Sequence, residues 1–189
     1  MENVLVVSGS RQSSGQFIQL LSAGAPMRAA EAGSGSQARR MLAGADYDLV
    51  IINSPLPDEF GDHLAVHVVE NSYSGVILIV KSELADDVAQ KVEEHGVFVV
   101  PKPVSRAFFY QALKLVEASR RRMLGLRTEN LRLQDKVEEI RFVNRAKFVL
   151  MERLNMTEQQ AHRYIEKQAM DMRLTRREVA QGILSTYDN

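Results

Sequence analysis

The 189 residues contain no cysteine. That excludes disulfides and thiolate metal sites, and it fits a reducing compartment. Long apolar runs are missing too. The N-terminal "VLVVSG" is too short and wrongly flanked for a signal peptide or a membrane span. A cytoplasmic protein with no membrane partner is expected. The four histidines, His63, His67, His95 and His162, are scattered and accompany no acidic constellation. Neither an enzyme nor a bound cofactor or metal is expected. A net charge is also absent, but the zero is an average of two unlike halves. Residues 1–104 hold 7 Lys+Arg and 13 Asp+Glu, whereas residues 105–189 hold 17 and 11. An acidic half followed by a basic one suggests a polyanion partner for the second half only, with a solvated helical face as the plainer alternative.

Hydrophobic content of 45% with 25% charged residues is ordinary for a globular chain long enough for one large domain or two small ones. The first part alternates in grammar. "NVLVVSG", "PMRAAEA", "DLVIIN", "GVILIVK" and "VFVVPK" read as strands. "GQFIQLLSAG", "SGSQARRMLAG", "DHLAVHVVENS" and "LADDVAQKVEEHG" read as helices between them, and a further helix begins after "PVS". Apolar β-branched runs alternating with helices of about ten residues predict a parallel sheet covered on both faces. The expected architecture is α/β and flavodoxin-like, a doubly wound five-stranded sheet over residues 1–118.

From Ser105 to Leu154 there is no proline and one glycine, Gly125, so the last helix of that domain is expected to run on. Within it Met123, Asn130, Val137 and Asn144 take a positions and Leu126, Leu133 and Ile140 take d positions of a heptad pattern. Residues 119–145 are therefore expected to form a coiled-coil dimerisation helix. Asn at two a positions favours a parallel homodimer. The flanks add nothing, since Arg122 would meet Arg127 and Lys136 would meet Arg141. The alternative is that the seam packs on the chain's own C-terminal helices. Those are announced by two capping boxes, Thr157 with Gln160 and Thr175 with Glu178, and by Met156/Ala161 and Leu174/Val179 in staple positions. Helices near 158–172 and 176–185 would complete a small all-α three-helix bundle over residues 146–189.

The alternation, the step from Asn53 to Pro57 and the "PKP" after the fifth strand resemble the receiver domains of two-component response regulators. The resemblance implies a phosphoacceptor Asp at the end of the third strand and an acidic pair after the first that holds Mg²⁺. It also implies a Thr or Ser ending the fourth strand and a Lys after the fifth. Here those positions carry Asn53, Ser8 with Gly9, Val80, and Lys102. Only the Lys is kept, and Asp58 lies in the following turn. An acyl phosphate needs a carboxylate nucleophile, and Mg²⁺ needs hard anionic oxygens. A degenerate receiver without aspartyl phosphorylation is expected, Lys102 serving the turn or a different anion. Regulation would then come from a partner protein or a small ligand.

The terminal segment carries Ala146, Lys147, Leu150, Met151, then "MTEQQA" from Met156 to Ala161, Ile165, Ala169, Met170 and Arg173. This resembles the ANTAR domain of transcription antitermination regulators, which usually follows a receiver and a coiled coil. His162 stands where that family has Phe or Tyr. The resemblance implies binding, as a dimer, of paired hairpins in leader transcripts so that a terminator hairpin cannot form. The expected RNA contacts are Lys147, Met151, Arg163, Lys167, Ala169, Met170, Arg173 and Arg176, with Arg177 nearby. Helical spacing puts Arg163, Lys167 and Met170 on one face and Ala161, Ile165 and Met172 towards the core. Two other classes compete. One is a protein-binding adaptor, with the coil serving only to dimerise. The other is a flavin-binding enzyme that cradles phosphate with "SGSRQSSG", Ser8 to Gly15, although Ser/Gly turns between strand and helix are common.

Overall fold

The computed structural model describes residues 2–22 and 27–187. Gly24 and Pro26, expected to close the first helix and open the second strand, lie outside the described residues. The chain divides into two compact units, Met1–Gly125 and Leu126–Asn189.

In the first unit the strands are β1 Asn3–Ser8, β2 Arg28–Ala32, β3 Leu49–Asn53, β4 Gly75–Lys81 and β5 Phe98–Lys102. They form one parallel sheet in the order β2-β1-β3-β4-β5. The intervening helices are α1 Arg11–Ser22, α2 Gly35–Gly44, α3 Asp62–Asn71 and α4 Ala85–Val92, followed by α5 Arg106–Leu154. Alternate strand residues supply two cores. Leu5, Val50, Ile52 and Leu78 pack with Ala38 of α2, Leu64 and Val68 of α3 and Val88 of α4. Val6, Ile51, Ile77 and Ile79 pack on the other face with Phe17 of α1 and Phe109, Ala112 and Val116 of α5. Because β1, β3 and β4 are buried on both sides, their sequences are continuous apolar runs rather than alternations, whereas the edge strand β2 is largely exposed. This is the doubly wound, flavodoxin-like order, and it brings the ends of β1 and β3 side by side, with Ser8 opposite Asn53.

The second unit is built from the C-terminal part of α5, α6 Glu158–Met172 and α7 Arg176–Tyr187. Ala146 and Leu150 of α5, Ala161, Ile165 and Ala169 of α6, and Val179, Ala180, Ile183 and Leu184 of α7 form its core. Both capping boxes are present. Gln160 N–H donates to Thr157 Oγ1 at 3.3 Å and Thr157 N–H to Gln160 Oε1 at 2.8 Å. Likewise Glu178 N–H donates to Thr175 Oγ1 at 3.2 Å and Thr175 N–H to Glu178 Oε2 at 2.7 Å.

Two expectations need correction. Met172 is 60% exposed rather than in the core. It is the last residue of α6, where the chain turns away, and Ala169, one four-residue step beyond Ile165, takes the buried place. Ala169 is therefore a core residue and not a platform under a base. Leu174 is 43% exposed, and its N–H closes α6 on the Ala169 carbonyl at 3.0 Å.

Candidate functional site

At the carboxyl edge of the sheet the residues at the acceptor and acid positions are joined by a neutral contact. Asn53 Nδ2 donates to Ser8 Oγ at 3.0 Å. Asn53 Oδ1 and Ser54 Oγ are buried without a partner among the described residues. Pro57 lies against Gly9, so a Cβ placed there would sit 3.0 Å from the proline ring, and a carboxylate-bearing residue at position 9 would require the ring to shift. Lys102 Nζ donates to the Ser54 carbonyl at 2.6 Å. Burial and then the neighbouring Lys81 hold its pKa below the ordinary lysine value. Val80, at the hydroxyl position, is fully buried. Ser8, Gly9 and Asn53 offer only neutral oxygens and do not fit Mg²⁺. Among the described residues no three His, Cys, Asp or Glu side chains gather as a metal site.

The acids of the β3–α3 loop face away from this site. Asp58 accepts from Gly35 N–H at 2.8 Å and Ser36 N–H at 2.9 Å at the start of α2, and these bonds pull its pKa down to about 2. Glu59 receives a two-pronged bond from Arg39. Sequence reasoning did not find this clamp. The sequence shows only the need, since α2 starts with Gly35 and Ser36 and has no acid in its first turn; which residue supplies the anion depends on the fold.

In the second unit the basic residues separate into two groups. Lys147 is 16% exposed and bonded to Glu158 at 2.9 Å. Arg176 pairs with Glu139 at 3.0 Å, and Arg177 pairs with Glu138 while lying over the Phe142 ring. Arg163, Lys167 and Arg173 are exposed and make no side-chain bond or ion pair among the described residues. Arg163, Lys167 and Met170, the last 79% exposed, share one face of α6, as their spacing requires. Arg173 closes that helix in the left-handed region, at φ 55° and ψ 39°. Its N–H reaches the Met170 carbonyl at 3.3 Å, which with the Leu174 bond makes a Schellman turn. Met151 is half-buried beside Lys147.

The heptad residues of α5, from Met123 through Leu126, Asn130, Leu133, Val137 and Ile140 to Asn144, are all exposed. From Leu126 onward they are not covered by α6 and α7, which pack on the opposite face of α5 at Ala146 and Leu150. Of the two sequence-based alternatives, packing on the chain's own helices is not the one observed. Among the described residues no helix is long and apolar enough to cross a membrane.

Residues 131–184 match the ANTAR domain family. The chain is 28% identical over 156 residues to the transcriptional regulatory protein PdtaR of Mycobacterium tuberculosis (strain CDC 1551 / Oshkosh), covering 82% of this chain and 76% of that protein. Among solved structures it resembles the signal receiver domain of an HD domain-containing protein from Pseudomonas fluorescens Pf-5, with TM-score 0.58 and 22% identity over 66% of this chain and 92% of that one. A response regulator receiver domain protein from Clostridium thermocellum gives TM-score 0.57 at 17% identity, over 66% and 99%. The first unit thus has the receiver fold. Behind it, residues 131–184 match the ANTAR domain family, and the relative matched over 82% of this chain is a transcriptional regulatory protein.

Proposed function

We propose that the chain is a non-enzymatic RNA-binding transcription antiterminator that acts as a dimer. Residues 1–118 would be a receiver that takes no phosphoryl group, 119–145 the dimerisation helix and 146–189 the RNA-binding domain. The observation that carries the reading is the ANTAR match together with the face of α6 on which Arg163 and Lys167 stand unpaired beside exposed Met170.

Sequence-specific RNA readers grip phosphates with Lys and Arg and take unpaired loop bases against apolar or planar side chains. Arg163, Lys167 and Arg173, unpaired among the described residues, are available for phosphates. Met170 is the pliable contact for an unstacked base. Lys147 and Arg176 meet RNA only by exchanging Glu158 and Glu139 for phosphate. Two such faces, one per protomer, would hold two hairpins of one leader transcript and keep their strands out of a terminator. Titration of a two-hairpin leader RNA at two salt concentrations tests this. Binding that requires both hairpins and weakens with salt supports it, and indifference to hairpin number opposes it.

The receiver would be controlled by something other than phosphorylation. Asn53 cannot form an acyl phosphate, and neutral Ser8 and Gly9 cannot replace an acidic pair. A polar cleft of about 360 Å³ lined by Ser8, Arg11, Ser14, Glu31 and Gln37 is the place for a small ligand. A partner protein is the other route.

A further inference from the structure

We propose that the polar cleft at the carboxyl edge of β1 and β2 binds a small zwitterion, an amino acid whose carboxylate is held by Arg11 and whose ammonium is held by Glu31. This rests on the small-ligand route of control stated above and names the chemistry of that ligand.

The topology makes the cleft. β1 and β2 are adjacent and parallel, but the helices that follow them lie on opposite faces of the sheet. α1 packs through Phe17 on one face and α2 through Ala38 on the other. Where neighbouring strands send their connections to opposite faces, the two loops part and leave a crevice outside the carboxyl ends. Here it measures about 360 Å³. Its wall comes from Ser8 at the end of β1, Arg11 and Ser14 at the start of α1, Glu31 near the end of β2 and Gln37 at the start of α2.

The charges decide what fits. Ser8 and Ser14 are 3% and 2% exposed, and each hydroxyl already donates to the Ser10 carbonyl at 3.2 Å. Gln37 Oε1 accepts from the Gly33 N–H at 2.9 Å, which leaves its NH₂ group without a partner among the described residues. Arg11 and Glu31 are exposed and make no side-chain hydrogen bond or ion pair among the described residues, with each other or with any other group. The acids of the nearby β3–α3 loop differ, since Asp58 caps α2 and Glu59 holds Arg39. One cation and one anion thus line a single cleft without meeting. A ligand of one sign would attract one of them and repel the other. A zwitterion suits both. Its carboxylate takes the guanidinium fork, its ammonium takes the Glu31 carboxylate, and Gln37 offers a donor to a polar side chain. Ala32 supplies the largest apolar side chain of the wall, so a nucleobase or a long aliphatic chain finds no surface to rest on.

The test uses the full-length protein. Its melting midpoint is measured with each standard α-amino acid, with β-alanine and with γ-aminobutyrate at about 10 mM, and with inorganic phosphate and glycerol phosphate as anions that lack an ammonium. At least one polar amino acid is expected to raise the midpoint by about 3 °C or more, as a ligand at about ten times its dissociation constant does. In titration calorimetry its dissociation constant should rise by about tenfold or more in Arg11→Gln and in Glu31→Gln, each of which loses one charge-assisted bond. The N-acetyl derivative has no ammonium. It should bind wild type about tenfold more weakly than the free amino acid, while Glu31→Gln should no longer tell the two apart. Both side chains are exposed and unpaired among the described residues, so each variant should keep the wild-type midpoint when no ligand is present. An amino acid that binds both variants as tightly as wild type puts the site elsewhere and overturns the proposal. Phosphate or glycerol phosphate that binds through Arg11 while no amino acid binds overturns the zwitterion and leaves the small-ligand reading standing. No shift with any of these probes overturns both, and leaves a partner protein as the route of control.

Discussion

Arg173 offers a test in which stability and binding move in opposite directions. It holds φ 55° and ψ 39°, a conformation that glycine adopts freely and that costs an L side chain about 1–2 kcal/mol. Arg173→Gly removes that cost but frees the unfolded chain, which returns about 0.5–1 kcal/mol to the unfolded side. The net is about 0.5–1 kcal/mol of stabilisation. For a unit the size of Leu126–Asn189 this corresponds to a melting midpoint higher by about 2–8 °C. The same change removes an unpaired, exposed guanidinium. If that group contacts a phosphate, the slope of log affinity against log salt falls by about 0.7–0.9. Arg173→Ala separates the effects, since it keeps the backbone cost and loses the charge. It should match Arg173→Gly in RNA titration and show no rise in calorimetry of the full chain. A lower melting midpoint for Arg173→Gly refutes the strain argument, and an unchanged salt slope refutes the phosphate contact.

The other predictions concern the core and the carboxyl edge of the sheet. Leu150→Ala empties a site that is 1% exposed and should cost the bundle about 2–5 kcal/mol, seen as loss of its calorimetric transition or a large fall in midpoint. Asn53→Asp supplies a carboxylate but no metal-holding acids. Incubated with acetyl phosphate and Mg²⁺, it should gain no phosphoryl mass, and its first unit should be less stable by about 1–3 kcal/mol because the Ser8 bond is lost and the new charge is buried. Asp58→Ala should lower the melting midpoint at neutral pH by freeing the Gly35 and Ser36 N–H groups. The Asp58 carboxyl is held at about 2, below its unfolded value, so its contribution is complete above the unfolded pKa and fades as pH falls through the folded one. The gap between Asp58→Ala and wild type should accordingly close in strongly acid buffer.

The fold was legible wherever local pattern and burial agree. β1, β3 and β4 are buried on both faces, so their apolar runs stand out, and α5 was announced by fifty residues or so without proline. The capping boxes were legible because Thr157 with Gln160 and Thr175 with Glu178 act over three residues. What could not be read depends on long-range placement. Asp58 reaches across 23 positions to Gly35, which no spacing rule contains. Met172 has the helical phase of a core residue and stays exposed because its helix ends there. Lys147, Arg163 and Arg176 look alike as basic residues, and only the fold puts acids beside the first and third.

The most direct test of RNA binding through the open face of α6 is a titration of two-hairpin leader RNA with wild type and with Arg163→Ala/Lys167→Ala, at low and moderate salt. The account predicts that wild type requires both hairpins. It also predicts that the double variant keeps its fold and binds with a salt slope smaller by about 1.4–1.8. A double variant that binds with wild-type affinity and slope would contradict it.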